Sequence, residues 1–142
     1  MSYSHQLVEY RLATAASLTA AADIVTYHFL MNHQPRRIAL RVTTTATVTA
    51  PVVDVYWRPT AGSDTGRVLL KRITALLADW AAGNWVYGDM EGSSANAIRP
   101  GGDMVVEVST TATAGAADVF GLFSPDWEVP QNVTVMKAST TA

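Results

Sequence analysis

Arg37-Ile38-Ala39-Leu40-Arg41-Val42-Thr43-Thr44-Thr45-Ala46-Thr47-Val48-Thr49 is the stretch that decides the fold. Ile38, Leu40, Val42, Thr44, Ala46 and Val48 point one way. Ala39, Arg41, Thr43, Thr45, Thr47 and Thr49 point the other. A strict period of two is the mark of a strand with one buried face. Val and Thr are β-branched and suit the pleated surface better than a helix.

Working outward, Pro51 interrupts the pattern and Val52–Arg58 resumes it, with Val53, Val55 and Trp57 on one side. Residues 59–66, Pro-Thr-Ala-Gly-Ser-Asp-Thr-Gly, are a loop rich in turn formers. Met104–Ala112 is a third clear strand, in which Met104, Val106 and Val108 alternate with Val105, Glu107 and Ser109. Arg99-Pro100-Gly101-Gly102 precedes it. Pro second and Gly third fit a type II turn, whose third residue needs a positive φ. Ala114–Ala117 reads as a turn into the apolar run Asp118–Phe123, and Pro125 and Pro130 separate that run from a last strand, Asn132–Ala138. At the other end, Leu7–Ala13 and Ile24–Met31 read as strands, with the Ala-rich Thr14–Ala22 between them as a loop or helical turn.

One segment resists the pattern. Leu69, Leu70, Ile73, Leu76, Leu77 and Trp80 recur at spacings of three and four, with Lys71, Ala75, Ala78 and Asp79 opposite. Periodicity alone predicts an amphipathic helix over Val68–Trp80. About eight strands with frequent turns otherwise predict an all-β sandwich or barrel, with room for that one short helix. Leu40–Thr47 and Val106–Thr113 echo each other faintly, as two Thr-rich strands would, and no sustained repeat is present.

Composition agrees. The chain has 142 residues, the length of one domain, and 1–142 is read as a single β-sandwich domain. Ala, Thr and Val number 22, 17 and 16, while charged residues are only 15%. A helical bundle would need more Lys and Glu on its exposed faces. Net charge is −2, with no basic run longer than Arg36-Arg37 or Lys71-Arg72, so no nucleic-acid partner is expected. No cysteine occurs, which removes disulfides, thiolate metal sites and cysteine nucleophiles. The N-terminus shows neither the basic nor the apolar region of a signal peptide, and no apolar stretch approaches the ~20 residues of a membrane span. The expectation is a soluble protein made in a cytoplasm, with no membrane partner. On that expectation the Asn132-Val133-Thr134 acceptor triplet is a chance match.

Chemistry is sparse. There is no G-x-S-x-G, no G-x-G-x-x-G, and the Gly62–Gly66 loop leads into Arg67 rather than Lys-Ser/Thr. His28 and His33 are five apart, on opposite faces of a strand, and His5 stands alone. Asp89, Glu91 and Asp103 read as solvated loop acids without a calcium-loop pattern. No catalytic, cofactor-binding or metal residue is assigned, no cofactor is expected, and the chain is read as a non-enzyme. The aromatics Tyr56, Trp57, Trp80, Trp85, Tyr87 and Trp127 serve a core or interface, or a stacking platform for sugar. Trp85 and Trp127, beside turns, are the candidates for exposure.

Three segments taken in order carry a family resemblance: Leu69-Leu70-Lys71-Arg72-Ile73-Thr74, then Ala81-Ala82-Gly83-Asn84-Trp85-Val86-Tyr87-Gly88-Asp89, then Ile98–Gly115 with Pro100-Gly101-Gly102-Asp103 and Val106-Glu107-Val108-Ser109-Thr110-Thr111. Over about residues 68–123 the chain resembles the decoration proteins (cement, or head-stabilising, proteins) of tailed bacteriophages. The resemblance implies a jelly-roll-like sandwich and a homotrimer bound to the major capsid protein on the virion exterior. It also implies a strand at Leu69–Leu76, against the periodicity, and that strand is taken as the expectation. Met1–Gln6 would then be a mobile N-terminal arm reaching the capsid. The alternative class is a carbohydrate-binding β-sandwich or adhesin, with glycan as partner. It requires Trp85, Trp127 or Tyr87 exposed on a groove.

Overall fold

The computed structural model describes residues 8–28, 33–90 and 101–125. Eight strands run through them: β1 (Val8–Ser17), β2 (Asp23–His28), β3 (His33–Thr47), β4 (Val52–Arg58), β5 (Val68–Ile73), β6 (Trp85–Asp89), β7 (Asp103–Thr110) and β8 (Ala114–Pro125). One sheet has the order β1-β8-β3-β6 and the other β2-β7-β4-β5. Every pairing is antiparallel.

The pairings nest. β4 pairs with β5, β3 with β6, β2 with β7, and β1 with β8. Such a chain is one long hairpin, doubled on itself and rolled until two sheets face each other. This is the eight-stranded jelly roll, one of the ways an all-β chain covers its edges. The all-β sandwich expected from the alternation is the fold observed.

Its core lies between the inward faces. Ile38, Leu40 and Val42 of β3 and Ala117, Val119 and Phe123 of β8 meet Val53 and Val55 of β4 and Met104, Val106 and Val108 of β7. Trp57 packs half-buried against this core on the side shared by Val53 and Val55, as expected. Gly101 and Gly83, each two residues ahead of a strand, have φ of 95° and 92°. That region costs an L side chain about 1–2 kcal/mol, so glycine starts these strands without strain.

Several expectations need correcting. β3 ends at Thr47, not Thr49, because Val48 turns the chain at φ 73° and the Thr49 N–H donates to the Thr47 carbonyl at 2.9 Å. Thr44 is exposed rather than core-facing, since the register with β8 shifts between Val42 and Thr44. Ala114–Ala117 is the start of β8, not a turn. β1 continues to Ser17, so the connection to β2 is a short loop with no helical turn, anchored by the buried Leu18. The amphipathic helix over Val68–Trp80 is absent. Val68–Ile73 is strand, and only Leu77–Trp80 coils, as one 3-10 turn. The spacing misled because β5 carries a register irregularity at its pairing with Val55 and Tyr56, and because Leu69 and Leu76 face solvent. The last strand, Asn132–Ala138, and the arm Met1–Gln6 lie outside the described residues.

Candidate interaction surface

With the core assigned, each sheet has one outward face, and the two faces differ. Behind β2-β7-β4-β5 the outward face carries a set of ion pairs. Arg58 on β4 donates to both carboxylate oxygens of Asp103 on β7, each at 2.6 Å. Asp103 also accepts from the Gly62 N–H at 3.2 Å, and His28 Nδ1 stands 3.8 Å from it. Arg72 on β5 grips Asp54 on β4 in the same two-pronged way, at 2.9 and 3.0 Å. The loop between β4 and β5 closes over this face. Its Arg67 guanidinium lies 3.8 Å over the Tyr56 ring and 3.8 Å from Glu107. Asp54, Asp103 and Val105 are buried on this face.

The electrostatics follow from the geometry. The hydrogen bonds from Arg58 hold the Asp103 carboxyl below the ordinary carboxylate range, with burial opposing them. Arg72 lowers Asp54 in the same way. Asp103 was expected as a solvated loop acid, and the structure corrects this: it is an ion-paired acid beneath a loop. Such pairing orients a fold and offers no proton near neutrality.

Behind β1-β8-β3-β6 the face is open. Register places Arg11, Phe120, Ala39 and Tyr87 in one row across all four strands. Glu9, Leu122, Arg37 and Asp89 form the next row. Trp85 is 50% exposed and Tyr87 53%. The Trp85 and Phe120 rings are 5.2 Å apart and tilted by 45°. Arg11 lies 5.2 Å over Phe120, and Arg37 lies 4.2 Å over Tyr87 while also gripping Asp89. Ala39 is too small to fill its place in the row. A groove of about 370 Å³ results, lined by Glu9, Arg37, Ala39, Trp85, Tyr87 and Phe120. Exposed aromatics beside guanidinium and carboxylate groups can hold a flat or apolar surface and fix its orientation.

Trp80 is fully buried in the 3-10 turn, and Tyr56 is capped by Arg67. Asp89 is exposed and pairs with Arg37. Trp127, Glu91, His5 and the triplet Asn132–Thr134 lie outside the described residues. No group of three or more His, Cys, Asp or Glu residues that could hold a metal occurs among the described residues. No helix there is long and apolar enough to cross a membrane. Sequence reasoning missed Phe120, Arg37 and Arg11 as parts of the surface. A signal for Phe120 was present, because Asp118–Phe123 is apolar on both faces and only one face can meet the core.

No protein-family profile matches the chain, and no curated protein matches it. Among solved structures it is similar to one described as the capsid of Ralstonia phage GP4. That match has 21% sequence identity and a TM-score of 0.49, and it covers 86% of this chain and 84% of that one.

Proposed function

We propose that the chain is a structural virion protein that binds the outside of a phage capsid and stabilises the shell. One observation carries this reading. The turn-and-strand order by which residues 68–123 resemble phage decoration proteins is the order in which β5, β6, β7 and β8 follow one another. The jelly roll itself is a frequent fold of virion and lectin domains, so it narrows the field without deciding it. In this reading the protein acts as a homotrimer on the major capsid protein and does no chemistry. It adds contact across subunit junctions, and a ligand that binds only the assembled shell stabilises it by mass action. The open face of β1-β8-β3-β6 is the contact surface this reading favours, since the opposite face is partly covered by its own loop and its charges are paired. The test is co-sedimentation with expanded capsids, coupled to the temperature at which the shells release DNA. Binding with a raised release temperature is expected, and failure to sediment with any capsid of a matching phage overturns the proposal.

A second reading is favoured by a specific observation. Trp85 and Tyr87 are exposed on a groove, as a carbohydrate-binding sandwich requires. A glycan screen, followed by tryptophan fluorescence titration of wild type and Trp85→Phe, separates the two. Sugar-dependent quenching that vanishes in Trp85→Phe selects the glycan reading. No response leaves the capsid reading.

A further inference from the structure

Among the described residues four strands end the sheets, and three of them are irregular. β1 shifts register twice against β8, β2 shifts between Asp23 and Val25, and β5 shifts opposite Val55 and Tyr56. Bulges are one of the devices by which proteins keep edges from pairing with other chains. β6 has none. It pairs residue for residue with β3, from Arg41 opposite Trp85 to Arg37 opposite Asp89. It carries no proline or lysine, and its one acid, Asp89, stands exposed at the strand end beside Arg37.

The hydrogen-bond phase of β6 is also set. The Val42 N–H donates to the Asn84 carbonyl and the Met90 N–H to the Arg36 carbonyl, both at 2.9 Å. Alternation then directs the backbone groups of Val86 and Gly88 toward β3 as well. Those of Trp85, Tyr87 and Asp89 point away, along the open edge. A hollow of about 470 Å³ lies beside this edge, between Thr74, Ala75 and Asp79 on one side and Gly83–Tyr87 on the other.

We propose that β6 pairs antiparallel with β6 of a second copy of this chain, about a two-fold axis at Tyr87. Charge selects this occupant. The strand has an acid, Asp89, at one end, and Arg41 stands beside Trp85 at the other. Among the described residues Arg41 has no ion-pair partner. Rotation by 180° sets Asp89 of the second copy next to Trp85, within reach of Arg41, and the reverse at the other end. The two Tyr87 residues meet at the centre, each beneath its own Arg37. Three facing pairs exchange about six N–H···O=C bonds. The two open faces then join into one continuous eight-stranded surface. Such a contact is isologous, whereas a three-fold ring uses heterologous contacts. It is therefore a surface separate from any trimer interface, and it requires no capsid.

The full chain is measured by light scattering without capsids, with circular dichroism as the check on folding. The expected mass is an even multiple of the 15.2 kDa chain. Tyr87→Pro removes an N–H that faces the open edge and leaves the bonds to β3 in place. Tyr87→Lys keeps the backbone and sets two cations opposite each other. Each variant is expected to halve the mass while keeping its spectrum, with the dimer dissociation constant raised at least about tenfold. Should the proline variant unfold, the lysine variant carries the test. A wild-type monomer at all concentrations, or a mass that a folded Tyr87→Lys leaves unchanged, overturns the proposal whatever the capsid assay shows.

Discussion

Arg58 and Asp103 meet through two hydrogen bonds of 2.6 Å, joining β4 to β7 beneath the β4–β5 loop, with Asp103 fully buried. Removing one partner of such a pair strands the other charge away from water. Asp103→Asn is expected to lower unfolding free energy by about 3–5 kcal/mol, read from urea denaturation. Arg37→Ala breaks an exposed pair with Asp89 and is expected to cost under about 1 kcal/mol in the same assay. Equal losses for the two would contradict the difference in burial.

The same pairs set an acid limit. Asp103 and Asp54 have carboxyls lowered below the ordinary 3.8 by hydrogen bonds from Arg58 and Arg72. A lowered acid binds fewer protons folded than unfolded, so its contribution is complete above the unfolded value. It disappears as pH falls from 3.8 through the lower folded value. Stability from this source is expected to be flat from neutrality to about pH 5 and to decline below it. Denaturation midpoints from pH 7 to pH 2 check this, and Asp103→Asn should flatten the acid limb.

Core and surface leucines should separate cleanly. Leu40 is fully buried between the sheets, while Leu76 is 75% exposed. Leu40→Ala is expected to cost about 2–5 kcal/mol through lost burial and a cavity. Leu76→Ala should stay within about 0.5 kcal/mol. Thermal unfolding of both variants decides it.

Val48 is a site where a substitution should add stability. It is β-branched, 75% exposed, and held at φ 73° in the turn from β3 to β4. Val48→Gly or Val48→Asn relieves that conformation at no cost in core packing, and a gain of about 1 kcal/mol is expected. A lower unfolding temperature for both would show that the turn is not strained.

The alternation in β3 made the sandwich legible. Ile38, Leu40, Val42 and Ala46 are buried and Arg41, Thr43, Thr45 and Thr47 exposed, as a period of two requires. Register irregularities were not legible, because a bulge depends on the partner strand. That is why Thr44 and the β5 leucines were misplaced. Nor could the ion pairs be read. Arg58 meets Asp103 only because β4 and β7 are neighbours, and Arg72 meets Asp54 only because β5 lies beside β4; nothing near either acid in the sequence names its partner. For the open face, Trp85 and Tyr87 were visible as candidates, while the gap left by Ala39 between them and Phe120 exists only across three strands.

The nested pairing also dictates when the protein can finish folding. Val8 finds its partner at Phe123, almost the whole chain later, while β4 and β5 meet across one loop. Local contacts close first, because long loops carry the larger entropic cost. During synthesis β4–β5 can form early, yet β1 must wait for β8 to leave the ribosome, with its edge uncovered meanwhile. β1 and β8 are thus committed together, and the slowest step is expected to be β8 closing on β1.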